Sequence, residues 1–278
     1  MASLRELKKH LGSVKMTGQL AGAMKTVSAA KFSRIGAVQQ RYAPYAEACR
    51  SVMAQYGAAL SAAYPCADPS APICFVILGS NRGLCGGYNA ELYRFADEVL
   101  AACTVPYRLI VCGKTAIAHF RGAEDKIEKT FIFPDTAQYA DCMPLFSCIR
   151  SLYTGGQISS VEIIGQRFVN MMTQTPARTM LLPLAADADP QEQEGLLYVP
   201  DRDAFLHAAA ESCLSSALYA HLLDACAGAQ AATLMAMRSA YDNAEQSAAA
   251  LETVISRKRQ SEVTASVIET SGGIFSEF

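Results

Sequence analysis

The two ends of the chain place the strongest constraint on its fold. Leu4 to about Tyr56 is helical in pattern, and a second helical stretch begins near Asp201 and runs on through Leu251 to Phe278. At 1.5 Å per residue, helices of about 50 residues span roughly 80 Å, well beyond the roughly 30 Å width of a small domain. Helices that long cannot bury a face on their own domain. The pattern predicts that they pair with each other, antiparallel, and that a further partner covers what remains.

In the first helix Leu4, Leu7, Leu11 and Val14 recur at alternating steps of three and four, and the stripe continues, shifted, through Leu20, Met24, Val27, Ile35 and Val38. Gly12, Gly18 and Gly22 interrupt it, each at a cost of about 1 kcal/mol relative to Ala in a helix interior. Gly18 and Gly22 stand one turn apart, so a second backbone can come close there. Pro44 removes one intrahelical bond and is expected to bend the helix, and Pro65, Pro69 and Pro72 end it. In the second helix Asp201 is the expected cap. Its stripe runs through Leu214, Leu218, Leu222, Ala225, Ala229, Ala232 and Met235, and resumes at Leu251, Val254, Ile255, Val263, Val267 and Ile274.

Between the helices the pattern alternates. Strands are expected over 73–78, 107–112, 129–133, 161–169 and 178–184, with helices over about 90–102, 115–121 and 143–153. That alternation implies an α/β segment with a mostly parallel five-stranded sheet and helices on both faces. The stretch 185–194, rich in Asp, Gln, Glu and Pro, is expected to be an exposed loop.

Composition narrows the function classes. With 51% hydrophobic and 18% charged residues and a net charge of −2, the chain has the make-up of a soluble globular protein, not a disordered one. The longest apolar run, Ile73–Leu78, is too short to span a membrane, and the charged N-terminus lacks the apolar core of a secretory signal. A bacterial cytoplasmic location is the simplest expectation. None of the ten cysteines forms a Cys-x-x-Cys pair, and His10, His119, His207 and His221 do not pair with them. No metal and no cofactor is therefore expected, and a reducing compartment is implied. Within the first fifty residues, nine Lys and Arg (Arg5, Lys8, Lys9, Lys15, Lys25, Lys31, Arg34, Arg41, Arg50) face only Glu6 and Glu47. That helix suits an acidic partner.

Two glycine-bearing turns invite a nucleotide reading. Gly79–Gly87 follows a strand and precedes a helix, where dinucleotide folds bind phosphate. Its glycines are not spaced G-x-G-x-x-G, however, and no acidic residue ends the second strand near Cys112. Gly113-Lys114-Thr115 also follows a strand, but the position five before Gly113, where a phosphate loop needs glycine, is Arg108. No catalytic constellation stands out, and the expected number of catalytic residues is none.

These residues carry a resemblance over nearly the whole chain. Ser13–Thr17, Ala23–Lys31, Pro44–Glu47, the loop Arg82-Gly83-Leu84-Cys85-Gly86-Gly87-Tyr88-Asn89, Tyr198–Pro200, Met235–Arg238, Tyr241–Ala244 and Arg259-Gln260, in that order, resemble the γ subunit of the F-type ATP synthase. The resemblance implies an antiparallel coiled coil of the long N- and C-terminal helices plus a Rossmann-like α/β domain without a nucleotide. Residues 1–60 and 201–278 would form the coiled coil and 72–190 the domain. It implies a rotor with α and β subunits (three each) around the coiled coil, and with the ε subunit and the membrane c-ring at the globular part. Nucleic acid is not an implied partner, and membrane association would be indirect, at the cytoplasmic face of the inner membrane. By motif matching, Met24 and Lys25 would lie near an acidic segment of β, and Arg259 and Gln260 near a β-subunit loop. Arg82, Gly83, Cys85, Gly86 and Gly87 would be structural or subunit-facing. Met24 has a second reading as a residue of the coiled-coil seam, and Arg259 one as a solvated charge. The chain departs from the family pattern at Gln19 and Gly22, where lysines are common, at Lys258, and in the tail Ile274–Phe278.

Overall fold

The computed structural model describes residues 3–66, 68–184, 198–199 and 201–275, with side chains to residue 268. In chain order the elements are α1 (Leu4–Ala63), β1 (Ile73–Leu78), α2 (Tyr88–Ala101), β2 (Tyr107–Cys112), α3 (Lys114–His119), a 3-10 segment (Phe120–Lys126), β3 (Ile127–Phe131), α4 (Tyr139–Thr154), β4 (Ser160–Phe168), β5 (Gln174–Leu182) and α5 (Arg202–Phe275). The expected loop at 185–194, Pro200 and the tail from 276 lie outside the described residues. Two compact units result: Met1–Val27 with Leu234–Phe278, and Ser28–Thr233.

In the larger unit the sheet has the strand order β3-β2-β1-β4-β5. The first four strands are parallel, and β5 closes one edge antiparallel to β4. β1 is central and buried on both faces, which is why its sequence is a continuous apolar run with no alternation. Cys74, Val76 and Leu78 point to one face, where residues of α1, α4 and α5 (Leu60, Leu145, Leu218) complete the core. Phe75 and Ile77 point to the other, against Leu92 and Ala96 of α2 and Ala116 of α3. Within this unit α1 and α5 run antiparallel. Gln39 Nε2 donates to Asp224, Tyr42 OH to Ser216 Oγ (2.7 Å), and Tyr56 meets Phe205 further along, so partners descend on α5 as they ascend on α1.

The smaller unit pairs the first part of α1 with the last part of α5, also antiparallel. A Cβ on Gly18 would stand 3.1 Å from Ala244 Cβ, and one on Gly22 would stand 3.2 Å from the Tyr241 ring. The two glycines are the point of close approach that their spacing implies. Ala21, Met237 and Ala248 are buried in this unit, while Leu4, Leu7, Leu11 and Val14 are half-buried as a continuous stripe.

Local signals explain the element bounds. β1 and β2 run over the residues that their patterns mark. α1 continues through Pro44 to Ala63. Asp201 caps α5: its Oδ1 accepts from Ala204 N (2.8 Å), and its carbonyl accepts from Phe205 N. α4 begins four residues before the expected start, because Gln138 and Asp141 form a capping box in which Gln138 N donates to Asp141 Oδ2 (2.8 Å). β3 begins two residues early; it is an edge strand whose middle residues face solvent, so hydrophobicity marks its position poorly.

Candidate interaction surfaces and the glycine loop

The turns after β1 and β2 fold against each other. Gly113 has φ +95°, and a Cβ there would lie 2.3 Å from the carbonyl oxygen of Gly79. A Cβ on Gly79 would meet Ala116 Cβ at 2.6 Å. Both glycines therefore serve the close crossing of two strand ends. The N–H groups that a phosphate cradle would aim at its ligand are already used by the chain. Gly113 N donates to Phe131 O (2.8 Å), Lys114 N to Asn81 Oδ1 (3.4 Å) and Thr115 N to Ser80 O (3.1 Å). Thr115 Oγ1 donates to Ser80 O at 2.6 Å and meets Tyr93 OH at 2.6 Å. In the turn after β2 the first three N–H groups are thus spent within the chain, which speaks against a phosphate there.

The loop Arg82–Asn89 is held from within. Ser80 Oγ donates to Arg82 O (2.8 Å), and Asn89 Nδ2 donates to Ser80 Oγ (2.8 Å) and Cys85 Sγ (3.2 Å). Leu84 and Gly86 adopt positive φ, +62° and +58°. Gly83 and Gly87 are exposed, and Cys85 is buried, with its thiol pushed up by burial. That is the condition of an inert thiol. The residue that follows the glycines ties the loop to α5: Tyr88 OH donates to Ala225 O (2.9 Å), and Gln166 Nε2 donates to Tyr88 O (3.0 Å). Gly228 lies against that ring, where a Cβ would stand 2.9 Å from it.

Charge pairing on the basic helix comes from elsewhere in the chain. Lys15 pairs with Glu252 (2.6 Å) and Lys31 with Asp135 (2.5 Å). Counting only neighbours at i+4 in the sequence misses both. Lys25 is half-buried with its ammonium 4.5 Å from the Tyr241 ring centroid, a cation–π contact, and Met24 beside it is half-buried. Arg259 and Gln260 are exposed, and Gln260 O accepts from Thr264 Oγ1. The four do not form a single site; they lie on two stretches of the smaller unit.

That unit also exposes large apolar side chains. Met16, Leu20 and Val27 are 71%, 64% and 52% exposed, and their spacing of i, i+4, i+11 puts them on one face of an α-helix. Val263 (57%) and Val267 (61%) form a similar pair on α5. The sequence pattern assigned Leu20, Val27, Val263 and Val267 to the buried stripe. The seam instead runs through Gly18, Ala21 and Gly22, because small residues let the helices approach more closely than leucine and valine allow.

Among the described residues no group of three or more His, Cys, Asp or Glu is placed to hold a metal ion, and no helix is long and apolar enough to cross a membrane. Asp224 is the most displaced carboxyl, pushed up to about 6 by burial, against the pull of a Phe168 N–H and of Arg167. A folded-state value above the ordinary 3.8 means that the associated stability is full below 3.8 and is lost as pH rises through 6. Asp224→Asn is therefore expected to gain about 1–2 kcal/mol at pH 8 after allowance for partial exposure, and nothing near pH 4. Denaturant titrations of the full chain at the two pH values check this, and an equal effect at both would refute it.

The family model described as ATP synthase matches residues 3–276 of the chain. The chain belongs to the ATP synthase gamma-chain family. It is 28% identical to the ATP synthase gamma chain of Pelotomaculum thermopropionicum and 29% identical to that of Desulforamulus reducens, with 98% of each chain covered in both cases. Among solved structures it is similar in fold to a chain of the Euglena gracilis mitochondrial ATP synthase, OSCP/F1/c-ring, at TM-score 0.69 and 16% identity, covering 98% of this chain and 94% of that one. It is also similar to a chain of the Tetrahymena thermophila mitochondrial ATP synthase central stalk/c-ring, at TM-score 0.59 and 19% identity, covering 80% and 99%. The family match takes in both long helices and the α/β segment together, so the outward apolar stripe and the internally satisfied glycine loop are features of one family member.

Proposed function

We propose that this gamma chain is the central rotor shaft of an F-type ATP synthase and performs no chemistry of its own. The observation that carries this reading is the family match over residues 3–276. Residues 1–60 and 201–278 serve as one coiled coil inside a ring of three α and three β subunits. Residues 72–190 form the domain that meets ε and the membrane c-ring. Ion flow through the membrane sector turns the shaft, and ATP is made or hydrolysed on β.

The physics supports that assignment. A helical pair with unlike sides offers each β subunit a different face, and only such differential contact can bias otherwise identical subunits towards different states. The shaft must also turn, so its contacts should be numerous and individually weak. Exposed ion pairs of about 0–1 kcal/mol suit this. The outward stripe of Met16, Leu20 and Val27 adds non-directional apolar contact, which does not select one angle. Met24 and Lys25 are assigned to an acidic segment of β, and Arg259 and Gln260 to a β-subunit loop. Arg82, Gly83, Cys85, Gly86 and Gly87 are assigned a structural or subunit-facing role; the hydrogen bonds to Arg82 O and Cys85 Sγ support the first and the exposure of Arg82, Gly83, Gly86 and Gly87 the second. The chain is placed peripherally, at the cytoplasmic face of the bacterial inner membrane.

Purification of the native complex through a tag on this chain tests the reading. Co-purification of α and β subunits with ATPase activity is expected, and a native complex that lacks them would overturn it.

A further inference from the structure

Asp135 lies in the connection between β3 and α4 and belongs to none of the motifs that the sequence displays. Its side chain is 17% exposed and faces two cations. Lys31 Nζ of α1, 25% exposed, donates to Asp135 Oδ2 at 2.5 Å, and Arg82 Nε of the glycine loop stands 3.8 Å from the same oxygen. Asn81 Nδ2 lies 3.4 Å from Asp135 Oδ1 and also donates to Phe133 O. Burial opposes ionisation of this carboxyl, but the Lys31 ammonium, with Asn81 and Arg82, outweighs it and holds the group below the ordinary carboxylate range. Asp135 is therefore ionised at neutral pH.

The flanking residues of the same connection grip the other helix. Tyr219 OH of α5 donates to Ala137 O (3.1 Å), Cys226 Sγ approaches Pro134 O (3.9 Å), and the Tyr139 and Ser215 hydroxyls meet at 2.7 Å. Residues 133–139 thus touch α1, α5 and the loop after β1. The apolar core presses α1 on the sheet, but apolar contact has no preferred direction and resists sliding only through shape. A largely buried carboxylate that accepts from an ammonium has a preferred geometry and a stronger local field than an exposed pair, and the exposed Arg82 guanidinium 3.8 Å away adds only to the field.

We infer that Asp135 is a positioning residue that locks α1, through Lys31, to the loops after β1 and β3, so that twist applied to the α/β domain passes into α1 without slip. This rests on the rotor reading proposed above. Asp135 binds no ligand and touches no reacting atom. It acts through Lys31 and Arg82.

The test uses the assembled complex with its ring fixed to a surface and a bead on the α/β domain, and reads the angular spread of the stalled rotor. Asp135→Asn and Lys31→Met are each expected to raise the angular variance to at least about twice that of the wild type, because each removes a directional, charge-assisted restraint. Asp135→Glu should restore much of the loss. The Lys31→Met/Asp135→Asn double variant should be no broader than either single one, as for two members of one interaction. Lys31→Met leaves the buried neighbours of Asp135 in place, so it keeps the test open if Asp135→Asn fails to assemble. An unchanged spread in assembled variants, against a wild type that turns, overturns this inference alone. A wild-type complex that does not turn removes the rotor reading, and this inference with it.

Discussion

Replacing Arg178 with alanine is expected to lower the stability of the chain by about 2–3 kcal/mol: it strips the partner from a buried carboxylate, but the Arg178 side chain is itself 46% exposed, so water partly replaces it. Glu162 is 3% exposed on β4. Both of its carboxylate oxygens accept from the Arg178 guanidinium of β5, through Nε and, at 2.7 Å, through Nη2. The guanidinium also lies over the Phe75 ring, 5.5 Å from its centroid. The pair joins the last parallel strand to the antiparallel edge strand. Removing Arg178 leaves a buried carboxylate that water reaches only through the space the guanidinium vacates, and the loss is mainly the cost of that stranded charge. A double replacement, Glu162→Leu with Arg178→Met, removes both charges and should cost far less than Arg178→Ala alone. Denaturant unfolding of the full chain separates the two cases. A loss below 1 kcal/mol in Arg178→Ala would show that the pair is solvated enough to be dispensable.

The second large effect belongs to Gly113. Its φ of +95° is strained for any residue with a Cβ, and the added carbon would sit 2.3 Å from the Gly79 carbonyl, a backbone atom that cannot rotate aside. Strain of about 1–3 kcal/mol from the dihedral adds to the clash, so Gly113→Ala is expected to lose more than about 4 kcal/mol. Little folded chain should accumulate. Gly122→Ala is the control, since a Cβ there meets nothing within 4 Å. Soluble yield and thermal unfolding of both variants decide the matter. A folded Gly113→Ala chain with unchanged melting would mean that the two strand ends are not in contact. Gly113-Lys114-Thr115 looks like part of a phosphate loop in the sequence, but its glycine is required by a neighbouring strand.

That contrast shows where the residue order was informative. β1 is a six-residue apolar run and β2 is apolar from Leu109 on, each followed by a glycine turn, so their positions follow from composition over six residues. The cap at Asp201 was equally legible, because a cap acts within one turn of helix. The close approach at Gly18 and Gly22 could be anticipated from spacing alone. The start of α4 was not, because its capping box uses Gln138, a residue that rarely signals a cap. In the smaller unit the buried stripe departs from the apolar pattern for a physical reason: large apolar residues mark a hydrophobic face, but they do not say which neighbour covers it.

The candidate contact residues divide in the same way. Met24, Lys25, Arg259 and Gln260 come from motif matching, and the structure adds that Lys25 is half-occupied by the Tyr241 ring. Asp135, Glu162 and Arg178 carry no motif. Each acquires its role from a residue distant in the chain: Lys31 lies 104 positions from Asp135, and Arg178 lies 16 from Glu162 across a strand pairing.

By itself, then, the sequence determined the two long helices, the five strands between them, the parallel majority of the sheet and the family, because periodicity, capping and motif order are local properties written within a few turns of chain. Only the tertiary structure decided which apolar face is buried, why the glycines stand at the strand ends and which charges are paired. Those outcomes depend on energies between elements far apart in sequence, and such energies exist only once the elements are packed.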